Sequence, residues 1–224
     1  MNFQKLFGPL TKPREDKFFD EIIGHAHIKR LFALALRSDE PTHILLSGPP
    51  ASAKTMFLMS FRQHLKNSYF VDGGNTTKAG IIDYLFKNRP RYLLGDEIDK
   101  MSPRDQTFLL NLMETGIITE IKYGKTREAE IKTFVFATCN DPRKLSSPLQ
   151  SRFFIIELES YTYEEFYEIT LHLLDMDFAR IIADAVWNTS KNLRDSVRIG
   201  KLARSEEDVN FLLDKFLHHR GLDH

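Results

Sequence analysis

The apolar run His43-Ile44-Leu45-Leu46-Ser47 leads into Gly48-Pro49-Pro50-Ala51-Ser52-Ala53-Lys54-Thr55, after which Phe57, Leu58, Phe61 and Leu65 recur at helical spacing. The order is strand, loop, helix. The interval from Gly48 to Lys54-Thr55 is that of a phosphate-binding loop, whose backbone N–H groups surround a β-phosphate at a helix N-terminus, where the dipole favours an anion. Lys54 is expected to reach the β- and γ-phosphates, and Thr55 to lend its hydroxyl to Mg²⁺. Threonine is otherwise a weak choice inside a helix. Ala51 and Ala53 stand where such loops usually carry glycine, and a Cβ is costly wherever φ is positive. An ordinary strand-turn-helix is the alternative for this segment taken alone.

Tyr92-Leu93-Leu94-Gly95 is a second short apolar strand, and it ends in Asp96-Glu97 before Ile98-Asp99-Lys100. Ligands of open parallel sheets sit at the carboxyl ends of the strands, which places Asp96 to meet the water shell of Mg²⁺ and Glu97 to polarise an attacking water. In isolation the pair is also compatible with a solvated acidic turn. Further strands at 69–71 and 134–138 alternate with helices at 80–86 and 106–113. That alternation predicts an α/β fold, a parallel sheet sandwiched by helices. Asn140 follows the strand at 134–138, where its amide faces the attacking water or the γ-phosphate, or merely turns the chain before Asp141-Pro142. Cys139 is expected to be a small buried strand residue.

Charge and composition narrow the setting. Lys+Arg is 31 and Asp+Glu is 31, so no overall field draws the chain to nucleic acid or membrane, and such contacts must be local. No apolar run approaches the roughly 20 residues that span a bilayer, so no membrane contact is expected. One cysteine excludes an internal disulfide framework and a thiolate zinc site, and a cytoplasmic setting is expected. His218-His219 lacks a third ligand, so no metal is expected beyond nucleotide-bound Mg²⁺.

Taken in order, the loop at 48–55, Asp96-Glu97, Asn140 and Leu145-Ser146-Ser147-Pro148-Leu149-Gln150-Ser151-Arg152-Phe153 resemble the AAA+ ATPases. Within them the chain is most similar to the RuvB group of Holliday-junction branch-migration motors. That likeness rests on Phe19-Asp20-Glu21-Ile22-Ile23-Gly24-His25, on the SSPLQSRF run, and on Ile155-Ile156-Glu157-Leu158 with Tyr161-Thr162. It extends from about Phe19 to Leu217.

The resemblance implies roles for individual residues. Lys54 and Thr55 become the Walker A pair, in a loop where Gly48, Pro49, Pro50, Ala51, Ser52 and Ala53 cradle ATP or ADP. Asp96 and Glu97 become the Walker B pair and Asn140 sensor 1. Arg152 becomes the arginine finger, acting in trans on the γ-phosphate held by a neighbouring subunit of a homo-oligomeric ring, a hexamer by resemblance. Arg194 falls at the sensor 2 position, with Arg198 one helical turn on as the competing choice. Ile22, Ile23 and Tyr161 are candidates for an adenine pocket, with core packing the other reading of the isoleucines. Two features depart from RuvB. The chain stops about 30 residues after Arg194, which leaves no room for a winged-helix domain, and its loop alanines are more like those of minichromosome-maintenance helicases or the MoxR group.

The stretch 117–136 has two β-rich arms around Lys122-Tyr123-Gly124-Lys125-Thr126-Arg127, similar to the hairpin these families insert before sensor 1. Lys122, Lys125 and Arg127 are then expected near its tip, tracking phosphates in a central pore or simply keeping an edge soluble. Lys78 is a second pore candidate. After Leu158 the pattern is helical only: Thr162 with Glu165 makes a capping box, and Ser205 with Asp208 repeats the spacing. The expected organisation is an α/β nucleotide-binding domain at 1–158 and a helical lid at 159–224, hinged so that hydrolysis moves a neighbour. Lys191, Arg194, Arg198 and Lys201 form a basic stripe best read as a solvated face. The expected function is an ATP-hydrolysing motor acting on DNA. Its competitors are a MoxR-like remodeller of a protein client and a slow nucleotide-dependent scaffold, the latter opposed by the presence of Glu97, Asn140 and Arg152.

Overall fold

Strands buried on both faces need unbroken apolar sequence, and ILLS, YLLGD and FVFATC supply it. The structure, a computed structural model, describes residues 18, 19, 22, 24–50, 52–122 and 125–216. These fall into two compact units, one within 1–48 and 53–157, the other within 49–52 and 158–224.

The first unit runs α1 (Ala26–Arg37), β1 (Ile44–Ser47), α2 (Lys54–His64), β2 (Ser68–Asp72), α3 (Lys78–Asn88), β3 (Tyr92–Asp96) and α4 (Pro103–Thr115). It continues with β4 (Ile117–Lys122), β5 (Lys125–Glu130), β6 (Phe134–Cys139), α5 (Ser147–Gln150) and β7 (Phe154–Glu157). Five strands form a sheet in the order β2-β3-β6-β1-β7, and every neighbouring pair is parallel. The register sets Ser47 beside Cys139 and Asp72 beside Asp96, so the carboxyl ends of four strands finish level. That is the end at which a parallel sheet takes its ligand.

Aromatic rings consolidate one part of the core. Phe32 meets Phe61 edge-on at 4.7 Å between ring centroids and Phe136 at 5.2 Å, and Phe19 meets Phe57 at 5.6 Å. Aliphatic side chains fill another part, where Leu45, Ile81, Leu93, Leu109 and Leu112 are buried together. Gln106 on α4 is buried as well, and it is satisfied. Its amide donates to Met101 O (3.3 Å) and Lys144 O (3.2 Å), and its oxygen accepts from Ser146 N (3.0 Å). One side chain thereby ties α4 to the turn that leads into α5.

The hairpin is shorter than the sequence implied. β4 and β5 pair antiparallel from Ile117↔Glu130 to Lys122↔Lys125, and residues 131–133 leave the ladder, so Phe134–Cys139 belongs to the central sheet. Tyr123 and Gly124, between the two lysines, lie outside the described residues, as do the side chains of Lys122 and Lys125.

The second unit contains α6 (Tyr163–Leu174), α7 (Ala179–Trp187), α8 (Leu193–Leu202) and α9 (Glu206–Phe216). The expected capping box is present, with Glu165 N bonded to Thr162 Oγ1 and Thr162 N to the Glu165 carboxylate. Ser205 Oγ likewise accepts from Asp208 N at 3.2 Å. Phe166, Ile182, Val186 and Val209 are fully buried between the helices. Leu217 and His218-His219 lie outside the described residues.

Candidate active site

Lys54 opens α2, and its ammonium donates to Gly48 O at 2.8 Å. The side chain is only 4% exposed, and burial lowers its pKa, an effect opposed by the nearby Cys139, Asp96, Asp99 and Glu97. Between them the loop closes on itself: Ser52 Oγ donates to Pro49 O at 2.8 Å, while Pro49 and Pro50 are exposed. Gly48 has φ 151° and Ala53 φ −34°. The φ of Ala53 is negative, so the position does not demand the left-handed conformation that favours glycine. Ala51 lies outside the described residues.

Asp96 ends β3 beside this loop. The Thr55 hydroxyl lies 3.3 and 3.4 Å from its two carboxylate oxygens, and Thr138 Oγ1 donates to Asp96 Oδ1 at 2.5 Å. A hydroxyl and a carboxylate converging in this way are hard oxygen donors, the ligand type Mg²⁺ takes together with water and phosphate. The residues present therefore fit nucleotide-bound Mg²⁺. Among the described residues no cluster of three or more His, Cys, Asp or Glu could hold a metal by itself.

Glu97 turns sharply away from the strand, with φ 51° and ψ 47° in the left-handed region. Both carboxylate oxygens are engaged: Asn140 Nδ2 donates to Oε1 at 3.1 Å, and Lys100 Nζ to Oε2 at 2.5 Å. The Lys100 hydrogen bond first, then that of Asn140, holds the Glu97 carboxyl below its ordinary pKa. Glu97 N donates to Thr138 Oγ1 at 2.9 Å. Gly73 fits under the turn, where its N–H donates to Asp96 O at 2.8 Å and a Cβ would stand 2.3 Å from Glu97 O. Only glycine allows that approach. Cys139 is buried, and burial pushes its thiol up to about 12, so it is chemically quiet.

Lys54, Thr55, Asp96, Glu97 and Asn140 are thus gathered at the carboxyl ends of β1, β3 and β6. Thr138, Lys100 and Gly73 join them without having been singled out from the sequence. Thr138 had one available signal, a hydroxyl in the otherwise apolar strand FVFATC. Lys100 had none beyond its place in a short 3-10 turn, Ile98–Lys100, after the acidic pair.

The other candidates are distributed. Arg152 lies between α5 and β7, partly exposed, and pairs with Glu114 near the end of α4 at 2.5 Å. Arg127 lies two positions from the Lys122↔Lys125 pair that ends the ladder; it pairs with Glu120 opposite it and with Asp83 on α3, and it stacks on Phe86 with 4.3 Å to the ring centroid. The Lys78 ammonium lies over Phe108 at the start of α3. Ile22 is 2% exposed, and its carbonyl accepts from Lys29. Ile23 lies outside the described residues. In the second unit Tyr161 is half-buried, Arg194 is exposed in the first turn of α8, and Arg198 is bonded to Asp195 at 3.5 Å. No helix among the described residues is long and apolar enough to cross a membrane.

Comparison with known proteins agrees with this geometry. A Holliday junction branch migration complex subunit RuvB from Thermotoga maritima is 30% identical over 207 residues, covering 84% of this chain and 62% of that protein. The corresponding subunit of Fervidobacterium nodosum is 30% identical over 210 residues, covering 87% of this chain and 60% of its own. The chain therefore spans about three-fifths of the length of these relatives. The solved Thermotoga maritima RuvB Holliday junction branch migration motor superimposes with a TM-score of 0.66 at 25% identity, over 88% of this chain and 71% of that one. Residues 44–160 match the ATPase family associated with various cellular activities (AAA). With more than half its length in that match, and with Lys54, Thr55, the acidic pair and Asn140 gathered at the carboxyl ends of the central strands, the chain belongs to the AAA family of ATPases.

Proposed function

We propose that this chain binds and hydrolyses ATP as one subunit of a homo-oligomeric ring, a hexamer by resemblance, that moves DNA in the manner of RuvB, in the cytoplasm. The observation that carries the reading is the continuous set of hydrogen bonds from Thr55 through Asp96 and Thr138 to Glu97 and Asn140. It orients a base for water at the edge of a loop suited to phosphate. Lys54 supplies positive charge to the β- and γ-phosphates. Thr55 and Asp96 would hold Mg²⁺, which would supply positive charge against the phosphoryl oxygens. Glu97 orients the attacking water while Asn140 fixes the carboxylate, and Lys100 must yield one oxygen before that water can be engaged.

Arg152 is proposed as the finger that acts on a neighbour's nucleotide. Its exposed pairing with Glu114 is weak enough to exchange for phosphate. Arg194, exposed in the first turn of α8, is the proposed sensor 2, with Arg198 one turn on as the competing choice. We place the nucleotide-binding domain at 1–158 and the lid at 159–224, with Ile22, Ile23 and Tyr161 as adenine-pocket candidates. For the hairpin, Lys122 and Lys125 sit directly opposite each other in register. Two lysines at the end of the ladder are the residue type that contacts a DNA backbone.

Steady-state ATP hydrolysis at ring-forming concentration, with and without four-way, forked and single-stranded DNA at low salt, tests the proposal, with Glu97→Gln as the blank. Stimulation by DNA supports the motor. Robust hydrolysis indifferent to every DNA overturns its DNA role in favour of a protein client. Arg152→Ala is expected to be inactive alone and partly restored on mixing with Lys54→Ala, and no restoration at any ratio rejects a finger acting in trans.

A further inference from the structure

Thr138 occupies an unusual position for a strand hydroxyl. It is fully buried in β6, one strand over from the acidic pair, and its single oxygen touches both acidic residues. Oγ1 accepts from Glu97 N at 2.9 Å and donates to Asp96 Oδ1 at 2.5 Å. A hydroxyl has one proton, and here it goes to the carboxylate, because a backbone N–H can only donate. The direction is therefore Glu97 N–H to Thr138 O–H to Asp96.

Each bond controls something the other does not. The bond to Asp96 fixes the carboxylate rotamer and occupies one side of Oδ1, while the Thr55 hydroxyl lies within reach of both oxygens. The bond from Glu97 N secures a residue in the left-handed region, a conformation that costs a non-glycine residue about 1 kcal/mol or more and persists only when its surroundings hold it. In that conformation the Glu97 side chain reaches Asn140. Were the backbone to relax toward the strand, the carboxylate would leave Asn140.

We propose that Thr138 is a positioning residue for the hydrolytic reaction, setting the metal-side carboxylate of Asp96 and the water-side carboxylate of Glu97 through one hydroxyl. This rests on the ATPase reading above. Its signature is a double effect, since loss of the hydroxyl lowers the affinity for Mg²⁺ governed by Asp96 and the turnover governed by Glu97 together. Removal of either carboxylate alone separates the two.

The test is Thr138→Val, which keeps shape and strand preference and removes only the hydroxyl, beside Thr138→Ser, which keeps the hydroxyl. Hydrogen bonds to charged groups are strong enough for a loss of roughly tenfold or more. Thr138→Val is expected to lower kcat by about that factor. In a Glu97→Gln background, where nothing turns over, Thr138→Val is expected to raise the Mg²⁺ concentration needed for tight binding of a fluorescent ATP analogue. Binding of the same analogue in EDTA should not change, because the loop and Lys54 are untouched, and Thr138→Ser should restore both quantities. A wild-type kcat or an unmoved Mg²⁺ midpoint in Thr138→Val, at matched folded fraction, overturns the proposal, because the hydroxyl would then act on one acidic residue at most. Should the valine variant fail to fold by circular dichroism, Thr138→Cys, nearly the same size with a weak donor, carries the same comparison. Glu97→Gln separates the two levels. If it retains hydrolysis the ATPase reading fails; if it is dead and Thr138→Val is normal, only the role of Thr138 fails.

Discussion

The carboxyl ends of β1, β3 and β6 and the β4–β5 hairpin belong to one compact unit but are held by opposite means. At the sheet end, buried or half-buried groups are bonded to one another in a closed set: Lys54 to Gly48, Thr55 and Thr138 to Asp96, and Asn140 to Glu97. The hairpin is a two-stranded ribbon whose attachment to α3 is an exposed arginine with two exposed or partly exposed acids and a ring. Low-dielectric hydrogen-bond sets are strong when complete and costly when broken, whereas surface ion pairs contribute little. The chemistry is therefore built into the fold, and although Ile118 and Ala129 anchor the hairpin in the core, its exposed face, proposed to meet the client, can change without touching the nucleotide residues.

The sharpest probe of that contrast is Glu97→Gln. Glutamine keeps the shape and one acceptor for Asn140 but cannot act as a base or pair with Lys100 as a charge. Hydrolysis should fall on the order of a thousandfold with ATP binding retained, as expected for loss of a general base. Single-turnover kinetics beside a nucleotide-binding titration checks both. A comparable loss from any hairpin substitution in the absence of DNA would break the comparison.

Much of the sheet end was legible because its signals are contiguous. The loop is eight consecutive residues, Asp96 and Glu97 are adjacent, and each follows a strand whose apolar run announces burial on both faces. Alternating strands and helices then fixed the parallel sheet. Thr138 and Lys100 were not legible. Thr138 acts on residues 41 and 42 positions away through strand adjacency, and Lys100 reaches Glu97 only because a 3-10 turn brings it back. The pairing of Arg127 with Asp83 was hidden for the same reason, since the two are 44 positions apart. Phe154 and Ile155 on β7 share the apolar character of the central strands yet are exposed, because β7 is the edge of the sheet.

His43 tests the buried side of the comparison at the start of β1. Its ring is 8% exposed, and Nδ1 accepts from Val135 N at 3.1 Å, so Nδ1 must stay unprotonated. Burial pushes its pKa down to about 4, against a partial opposing effect of a backbone hydrogen bond at Met113. The folded value lies below the ordinary 6.5, so the unfolded chain takes up the proton first as pH falls. Stability is full above about pH 6.5 and is lost from there down to about pH 4, by about 3 kcal/mol in all. Denaturant unfolding at pH 7.5 and pH 5 should show this, and His43→Asn, which keeps an acceptor but does not titrate, should reduce the difference by about 2 kcal/mol. An unchanged difference would remove His43 from the account.

The paired lysines at the end of the ladder give a smaller effect of a different kind. Lys122→Ala with Lys125→Ala removes two positive charges from neighbouring register positions of the ladder. If the hairpin grips a DNA backbone, the slope of log affinity against log salt should fall by about two, with affinity down roughly tenfold at low salt. ATP hydrolysis without DNA should be unaltered. A salt slope unchanged by the double substitution would move the DNA contact elsewhere.

The smallest expected effect is that of Arg127→Ala, and it probes the contrast most directly. Arg127 reaches across the ladder to Glu120 and out to Asp83, with its guanidinium over Phe86, so it fixes the hairpin against α3 without touching the nucleotide residues. Its loss should leave unstimulated hydrolysis within about twofold of wild type, because exposed pairs of this kind are weak and the sheet-end hydrogen bonds do not pass through them. The hairpin itself should respond. Amide exchange across 117–130 should accelerate while exchange in β1 and β6 stays slow, since local opening follows local contacts rather than global stability. If exchange in β6 rose in step with the hairpin, the two regions would be one cooperative element, and the separation between fixed chemistry and adjustable contact would fail.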